Sequence, residues 1–389
     1  MYRLLARSQD STVHSRPSSL AGSSVFIVGG GPAGLAAAIA LSRKGFCVTV
    51  ADGAKMPIEK VCGEGILPEG LATLRGLGID VPLEKGFAFR GLRFVSGSQS
   101  ADAKFPHAPG LGLRRTILHA AMVDAALRGG VTLHWSTPVR GISRDGVVSW
   151  PGASIRPHWI IAADGAASRV RRWAGLQTRH MRNRRFAFRR HYDVAPWSDY
   201  VEVYWGKSCQ FYVTPVGDSE IGVVFLSANP DLRMDEALAQ FPRLTARLKP
   251  ARITTSERGG ITGTWIHPRV TRGNVALVGD AAGMVDAISG EGLRLAFQQS
   301  LALADALAAN DPSHYQREHR RIMRRPRAMV RLMLAMQSSP ALQRRTLRIL
   351  SCDPQLFQRF LAVHTGSASP VHLASTGARF SWRLLAEAF

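Results

Sequence analysis

The chain has 389 residues, 46% of them hydrophobic, and a formal net charge of +22; it reads as a globular protein of one large or two closely joined domains, and no run of about 18 apolar residues offers a membrane span. Its four cysteines (Cys47, Cys62, Cys209, Cys352) lie far apart with no CxxC, which argues against a disulfide framework or a zinc site and for a reducing, cytoplasmic setting. The charge favours anionic partners, but no helix-turn-helix, zinc-finger or RNP pattern accompanies it, so nucleic acid is not expected, and the twelve histidines show no metal-ligand spacing.

Residues 1–22 are rich in Ser and Arg and lack the apolar core of a signal peptide, so they read as a flexible lead. The stretch "SSVFIVGGGPAGLAAAIALSRKGFCVTVAD" then reads strand, glycine turn, helix, strand. Val25 to Val28 is the short apolar run of a buried parallel strand. Gly29, Gly31 and Gly34 form GxGxxG, Leu35 to Leu41 is an Ala-rich helix, and Phe46 to Val50 is the second strand. Asp52 follows Gly34 by 18 residues, where an acid meets an adenosine ribose. The unpaired N–H groups that open the helix suit a pyrophosphate. These residues predict dinucleotide binding, with NAD and FAD both open.

"VCGEGILPEG" next sets Cys62 among glycines, either as a small packing residue or as a thiol facing a reacting substrate. Gly86 to Gly97 predicts strands. "GLRRTILHAAMVDAAL" predicts a helix that buries Leu118, Met122 and Ala125. Trp159 to Ala163 is a strand with Asp164–Gly165 at its end. His191 and Tyr192 either reach a substrate or form an ordinary half-buried pair. Val201 to Trp205, Gln210 to Val213 and Glu220 to Leu226 predict an antiparallel sheet. Val275 to Val278 is a further strand ending at Gly279–Asp280, and Gly290 to Leu307 is a long helix. From Arg317 to Arg348 there are ten arginines and one acid, Glu318, with Met323, Met329, Met333 and Met336 among them and Pro326 and Pro340 as breaks. Amphipathic helices of this kind suit an anionic membrane surface, a greasy substrate, or packing over the nucleotide domain. "TGSASPVHLASTGARFSW" reads as a loop before a final short helix.

The order of GxGxxG, "ADG" at 163–165 and "GDAA" at 279–282 resembles the flavoprotein superfamily of single-component aromatic hydroxylases, geranylgeranyl reductases and flavin-dependent halogenases, over roughly Ser24 to Leu307. The resemblance implies an α/β fold: a Rossmann-like FAD-binding domain (23–85, 106–178 and 270–310), an inserted antiparallel-sheet substrate domain (86–105 and 179–269) and a helical C-terminal region (311–389). It implies FAD, with its pyrophosphate at Gly29, Gly31 and Gly34, its ribose at Asp52, and its ribityl chain at Asp280. Asp164 belongs to the second motif. Arg115 matches an R-x-x-L arginine that meets the cofactor, with Arg114 as the neighbouring alternative. The helix opening at Gly290–Gly292 would point its positive end at the ring edge that becomes anionic on reduction.

Lys60-Val61-Cys62-Gly63-Glu64 is similar to the K-x-C-G-G segment of geranylgeranyl reductases, where the cysteine lies near the flavin ring, and Glu64 departs from the second glycine. Absence of W-x-W-x-I-P sets halogenation aside. The resemblance thus implies an FAD-dependent oxidoreductase acting on a hydrophobic substrate. The breadth of the superfamily leans to a monooxygenase that hydroxylates or epoxidises an aromatic, polyketide or isoprenoid molecule through a flavin hydroperoxide. The alternatives are reduction of C=C bonds, with Cys62 as proton donor, and a non-catalytic basic flavoprotein. With no second GxGxxG unit, NAD(P)H would dock transiently as reductant, or a separate reductase would serve.

Overall fold

A computed structural model describes residues 22–177, 181–337, 339–368 and 370–386. The expected flexible lead lies outside the described residues, apart from Gly22.

Short apolar strands set the first layer. Ser24–Val28 pairs in parallel with Cys47–Ala51 on one side and Trp159–Ala162 on the other, with Val25 opposite Val48 and Trp159. Thr132–His134 and Val275–Leu277 extend the sheet in parallel, and Thr271–Arg272 closes one edge as a hairpin. Helix Pro32–Ser42 is apolar all round and packs between the sheet and helices Arg115–Arg128 and Gly292–Ala308. Strand, glycine turn, helix and second strand therefore stand where the sequence puts them, within two or three residues at each end.

The second layer is a large curved sheet running Gly283–Met284, Arg258–Ile266, Met181–Asp193, Glu220–Ser227, Cys209–Gly217, Val201–Trp205, Gly91–Ser96 and Gln99–Lys104. It is antiparallel except where Val201–Trp205 meets Gly91–Ser96 in parallel. A parallel pair needs a long crossover, and here much of the nucleotide-binding unit lies between the two strands in sequence. Met181–Asp193, MRNRRFAFRRHYD, escapes a hydrophobicity reading because it is so rich in arginine. Its period-2 alternation nevertheless buries Arg185, Ala187, Arg189 and His191 on one face.

The C-terminal layer is helical: Pro312–Met336, Pro340–Cys352, Pro354–Thr365 and Pro370–Ala386. Asp311, Ser339 and Asp353 accept N–H bonds from the first turns that follow them, so Pro312, Pro340 and Pro354 open helices, where a missing N–H is harmless. Pro326 does not break its helix as the sequence suggests. Met323, Met329, Met333 and Met336 are buried on that helix, and their packing offsets the lost backbone bond. The stretch expected to be a loop before a short helix is mostly helix, from Pro370 to Ala386. Phe94 joins the layers, with its ring 4.6 Å from Trp205 and 4.8 Å from Phe357.

Candidate functional site

A cavity of about 770 Å³ lies where the parallel sheet, the large sheet and the C-terminal helices meet. At one end is the glycine turn, whose three glycines have different tasks. A Cβ on Gly29 would fall 2.4 Å from the Ala163 carbonyl oxygen, and one on Gly34 would fall 1.9 Å from that of Gly29. Both are needed for strand, turn and helix to pack. Gly31 instead opens on the cavity, with Arg115 Nη2 the nearest atom at 4.0 Å from a Cβ placed there. Helix Pro32–Ser42 begins here with no side-chain cap, so its first N–H groups remain available to an anion. Asp52 accepts from the N–H of Gly30 at 2.7 Å and of Ala54 at 2.8 Å, tying the turn to the loop after the second strand.

Arg114 is bound to Glu220 at 2.7 Å, whereas Arg115 lines the cavity and its buried Nε has no partner among the described residues. Of the two arginines, Arg115 is the one available to a ligand. Asp164 does not line the cavity. Its carboxylate accepts the N–H groups of Arg169 at 2.7 Å and Val170 at 3.2 Å and so organises the short helix Arg169–Trp173.

Asp280 opens onto the cavity and is accessible to solvent through it, although protein surrounds the carboxyl. Burial raises its carboxyl above the usual range, opposed by Lys60 and Arg115. Gly290, at φ +65°, and Gly292 face open space, with nothing within 4 Å of a Cβ at either position. Helix Gly292–Ala308 starts there, also without a side-chain cap. Two uncapped helix starts, a free arginine and a cavity-facing carboxylate lie along one cavity, a set of groups that could hold an extended dinucleotide.

Val61, Cys62, Gly63 and Glu64 form part of the wall. Cys62 is half-buried, and its Sγ accepts the Glu64 N–H at 3.4 Å. Glu64 is buried and adopts φ +57°, the left-handed region that glycine prefers. Its carboxylate accepts from Arg115 N at 2.8 Å, Arg189 Nη1 at 3.0 Å and His191 Nε2 at 2.5 Å. His191 and Tyr192 do not line the cavity: His191 lies behind Glu64, and the Tyr192 hydroxyl meets Met234 Sδ at 3.9 Å in a separate apolar cluster.

Hydrophobicity and motif reading missed three further polar groups of the wall. Asp286 accepts the Ile288 N–H at 3.0 Å and lies 3.4 Å from Arg185 Nη1, and its burial pushes the carboxyl up. Tyr212 donates to the Ile288 carbonyl at 3.2 Å. His364, from the C-terminal layer, meets Ser289 O at 2.8 Å and lies 3.6 Å from Glu291 Oε2. The alternation in "RRFAFRRHYD" was the available signal for Arg185 and Arg189. Glu59, Lys60, Thr214, Arg258, Thr262 and Ser289 also line the cavity, and Phe94, Val201, Val203, Met329, Met333, Met336 and Phe360 give it a large apolar part.

A family model described as "FAD binding domain" matches residues 22–313. The chain is 27% identical over 318 residues to a menaquinone reductase of Mycolicibacterium smegmatis, covering 75% of this chain and 78% of that protein. It is 28% identical over 311 residues to digeranylgeranylglycerophospholipid reductase 2 of Methanosphaera stadtmanae, covering 71% and 75%. Among solved structures it shares its fold with a flavoprotein/dehydrogenase from Cytophaga hutchinsonii, with a TM-score of 0.77, 20% identity, and coverage of 88% of this chain and 93% of that one.

Proposed function

Given that the chain belongs to the FAD binding domain family and is an FAD-dependent oxidoreductase, we propose that it reduces carbon–carbon double bonds in a long apolar substrate of the isoprenoid-lipid class. The observation that carries this reading is the cavity itself. The glycine turn and Arg115 line it together with Phe, Val and Met side chains, and a half-buried thiol stands in the same wall. The names of the curated relatives, menaquinone and digeranylgeranylglycerophospholipid reductases, support reduction over the oxygen transfer towards which the sequence leans.

Bound and reduced FAD would supply a hydride to one carbon of the double bond. The protein has four tasks around it. Gly31–Ala33 and Arg115 would hold the phosphates. The N-terminus of helix Gly292–Ala308 would favour the negative charge of a reduced ring. The Phe, Val and Met wall excludes water and aligns the chain. Cys62 donates the proton to the second carbon, and solvent returns it to the thiolate. NAD(P)H is the proposed source of electrons, docking transiently.

The test is anaerobic turnover of photoreduced protein with a geranylgeranyl lipid and with a polyprenyl quinone, read by mass spectrometry. Two added hydrogens per turnover support the reading. A requirement for air, with oxygen-18 from labelled dioxygen in the product, replaces it with monooxygenation. No change in either compound under both conditions counts against this substrate class.

A further inference from the structure

The outer face of the C-terminal layer carries charge that the proposed reaction does not use. On helix Pro312–Met336, Arg317, Arg320, Arg321, Arg324 and Arg331 are all exposed. At about 3.6 residues per turn they fall in one stripe, roughly 21 Å long. The opposite side of the same helix buries Tyr315, Met323, Met329, Val330 and Met333. Arg344, Arg345 and Arg348 are exposed on helix Pro340–Cys352, and Arg359 on Pro354–Thr365.

Acids offer little compensation. Asp311 pairs with Arg317 at 3.1 Å and Glu318 with Arg321 at 2.7 Å, and Asp353 is buried and held by Arg379 and Arg383. Arg324, Arg331, Arg344, Arg345, Arg348 and Arg359 have no ion pair among the described residues. Trp382 stands 68% exposed on helix Pro370–Ala386, which packs on the two helices before it.

We propose that this face is a docking surface for an anionic lipid bilayer. Charge complementarity selects the partner: arginines near a surface of anionic headgroups are attracted within a Debye length. An exposed tryptophan suits the boundary between headgroups and acyl chains. The inner sides of these helices contribute Met329, Met333, Met336, Leu350, Phe357 and Phe360 to the apolar cavity. One layer thus has a basic outside and a greasy inside, an arrangement that a nucleic-acid partner would not require. The surface goes beyond the proposed reaction, and its test needs no turnover.

The experiment is flotation of the flavin-loaded protein with phosphatidylcholine vesicles, with and without phosphatidylglycerol. Binding is expected only when phosphatidylglycerol is present, and on the order of tenfold weaker when salt is raised to shorten the screening length. The combined variant R324Q/R331Q/R344Q/R345Q/R348Q should lose at least about tenfold in binding, and Trp382→Ser a smaller amount. R140Q/R144Q/R156Q, at exposed arginines away from this layer, should bind as the unmodified protein does. Melting curves and flavin content confirm that the variants are folded. If the combined variant fails to fold, the headgroup and salt dependence of the unmodified protein still decides. Absent binding, equal binding to neutral vesicles, or undiminished binding by the folded combined variant overturns the proposal. Preferential capture by polyuridylate overturns it in favour of nucleic acid.

Discussion

The carboxylate of Glu64 accepts a hydrogen bond from His191 Nε2 at 2.5 Å, with both side chains almost fully removed from solvent. The other ring nitrogen of His191 is 2.8 Å from Thr255 Oγ1. Glu64 also receives Arg189 at 3.0 Å and the N–H of Arg115. One side chain thereby ties the cysteine loop to the large sheet and to the helix that carries the cavity's arginine. Removing one partner of a buried charged pair leaves the others unpaired, which typically costs about 3–5 kcal/mol. Glu64→Ala is therefore expected to destabilise the protein by roughly 3 kcal/mol in urea unfolding. Glu64→Gly should cost somewhat less, because glycine relieves the positive φ. A loss below about 0.5 kcal/mol for Glu64→Ala would show that the cluster does not hold the loop.

Cys62 separates two accounts of its own position. As the proton donor of a reductase, its replacement by serine keeps the size but removes the acidity, and the rate should fall on the order of 10²–10⁴. Flavin content should not change. A fall of less than about threefold would make the thiol a small neighbour of the ring and nothing more.

The glycines of the first turn predict different failures. Gly29→Ala and Gly34→Ala place a Cβ within 2.4 Å and 1.9 Å of backbone oxygen, so both should give poorly folded protein. Gly31→Val has room and an ordinary φ of −72°, so it should fold yet bind FAD weakly. Asp280→Ala should also fold with reduced flavin occupancy. Circular dichroism and flavin absorbance on the same samples distinguish the two classes. Full occupancy in Gly31→Val would move the phosphates elsewhere.

His319 predicts a pH dependence of stability. It is fully buried, neither ring nitrogen has a partner among the described residues, and burial with Arg327, His267 and Arg320 nearby pushes it down to about 3. In the unfolded chain it titrates near its ordinary value of 6.5. Between these values the unfolded state binds the extra proton. Stability is therefore whole above about pH 6.5 and falls as the pH drops towards 3, by up to about 1.4 kcal/mol per pH unit from this group. His319→Leu should flatten the acid side of the stability profile measured by urea unfolding. An unchanged slope would assign acid lability to other groups.

Much of the nucleotide-binding half was legible in the residues. Val25–Val28, the glycine turn and the run to Asp52 are local: a short apolar strand, a tight turn and a small-residue helix need only near neighbours to be recognised. The same holds for Trp159–Ala162, Val275–Leu277 and the helix after Gly292, which rest on short patterns ending in a turn. The amphipathic C-terminal helices were legible for the same reason, although the helix Pro312–Met336 passes through Pro326 because its methionines are buried against other layers.

What the sequence alone determined is thus the FAD-binding fold, because that depends on backbone conformation and spacing along the chain. Only the tertiary structure decided which of the motif residues face the cavity. It turned Arg115 to the cavity and Arg114 to Glu220, left Gly31 open while packing Gly29 and Gly34 into backbone, and gave Asp164 a helix to organise. It also withdrew His191 behind Glu64 and brought Tyr212, Asp286 and His364 to one wall. These side chains come from segments as many as about three hundred residues apart. Burial and ion pairing among them are set by how the layers pack, and no local pattern carries that information.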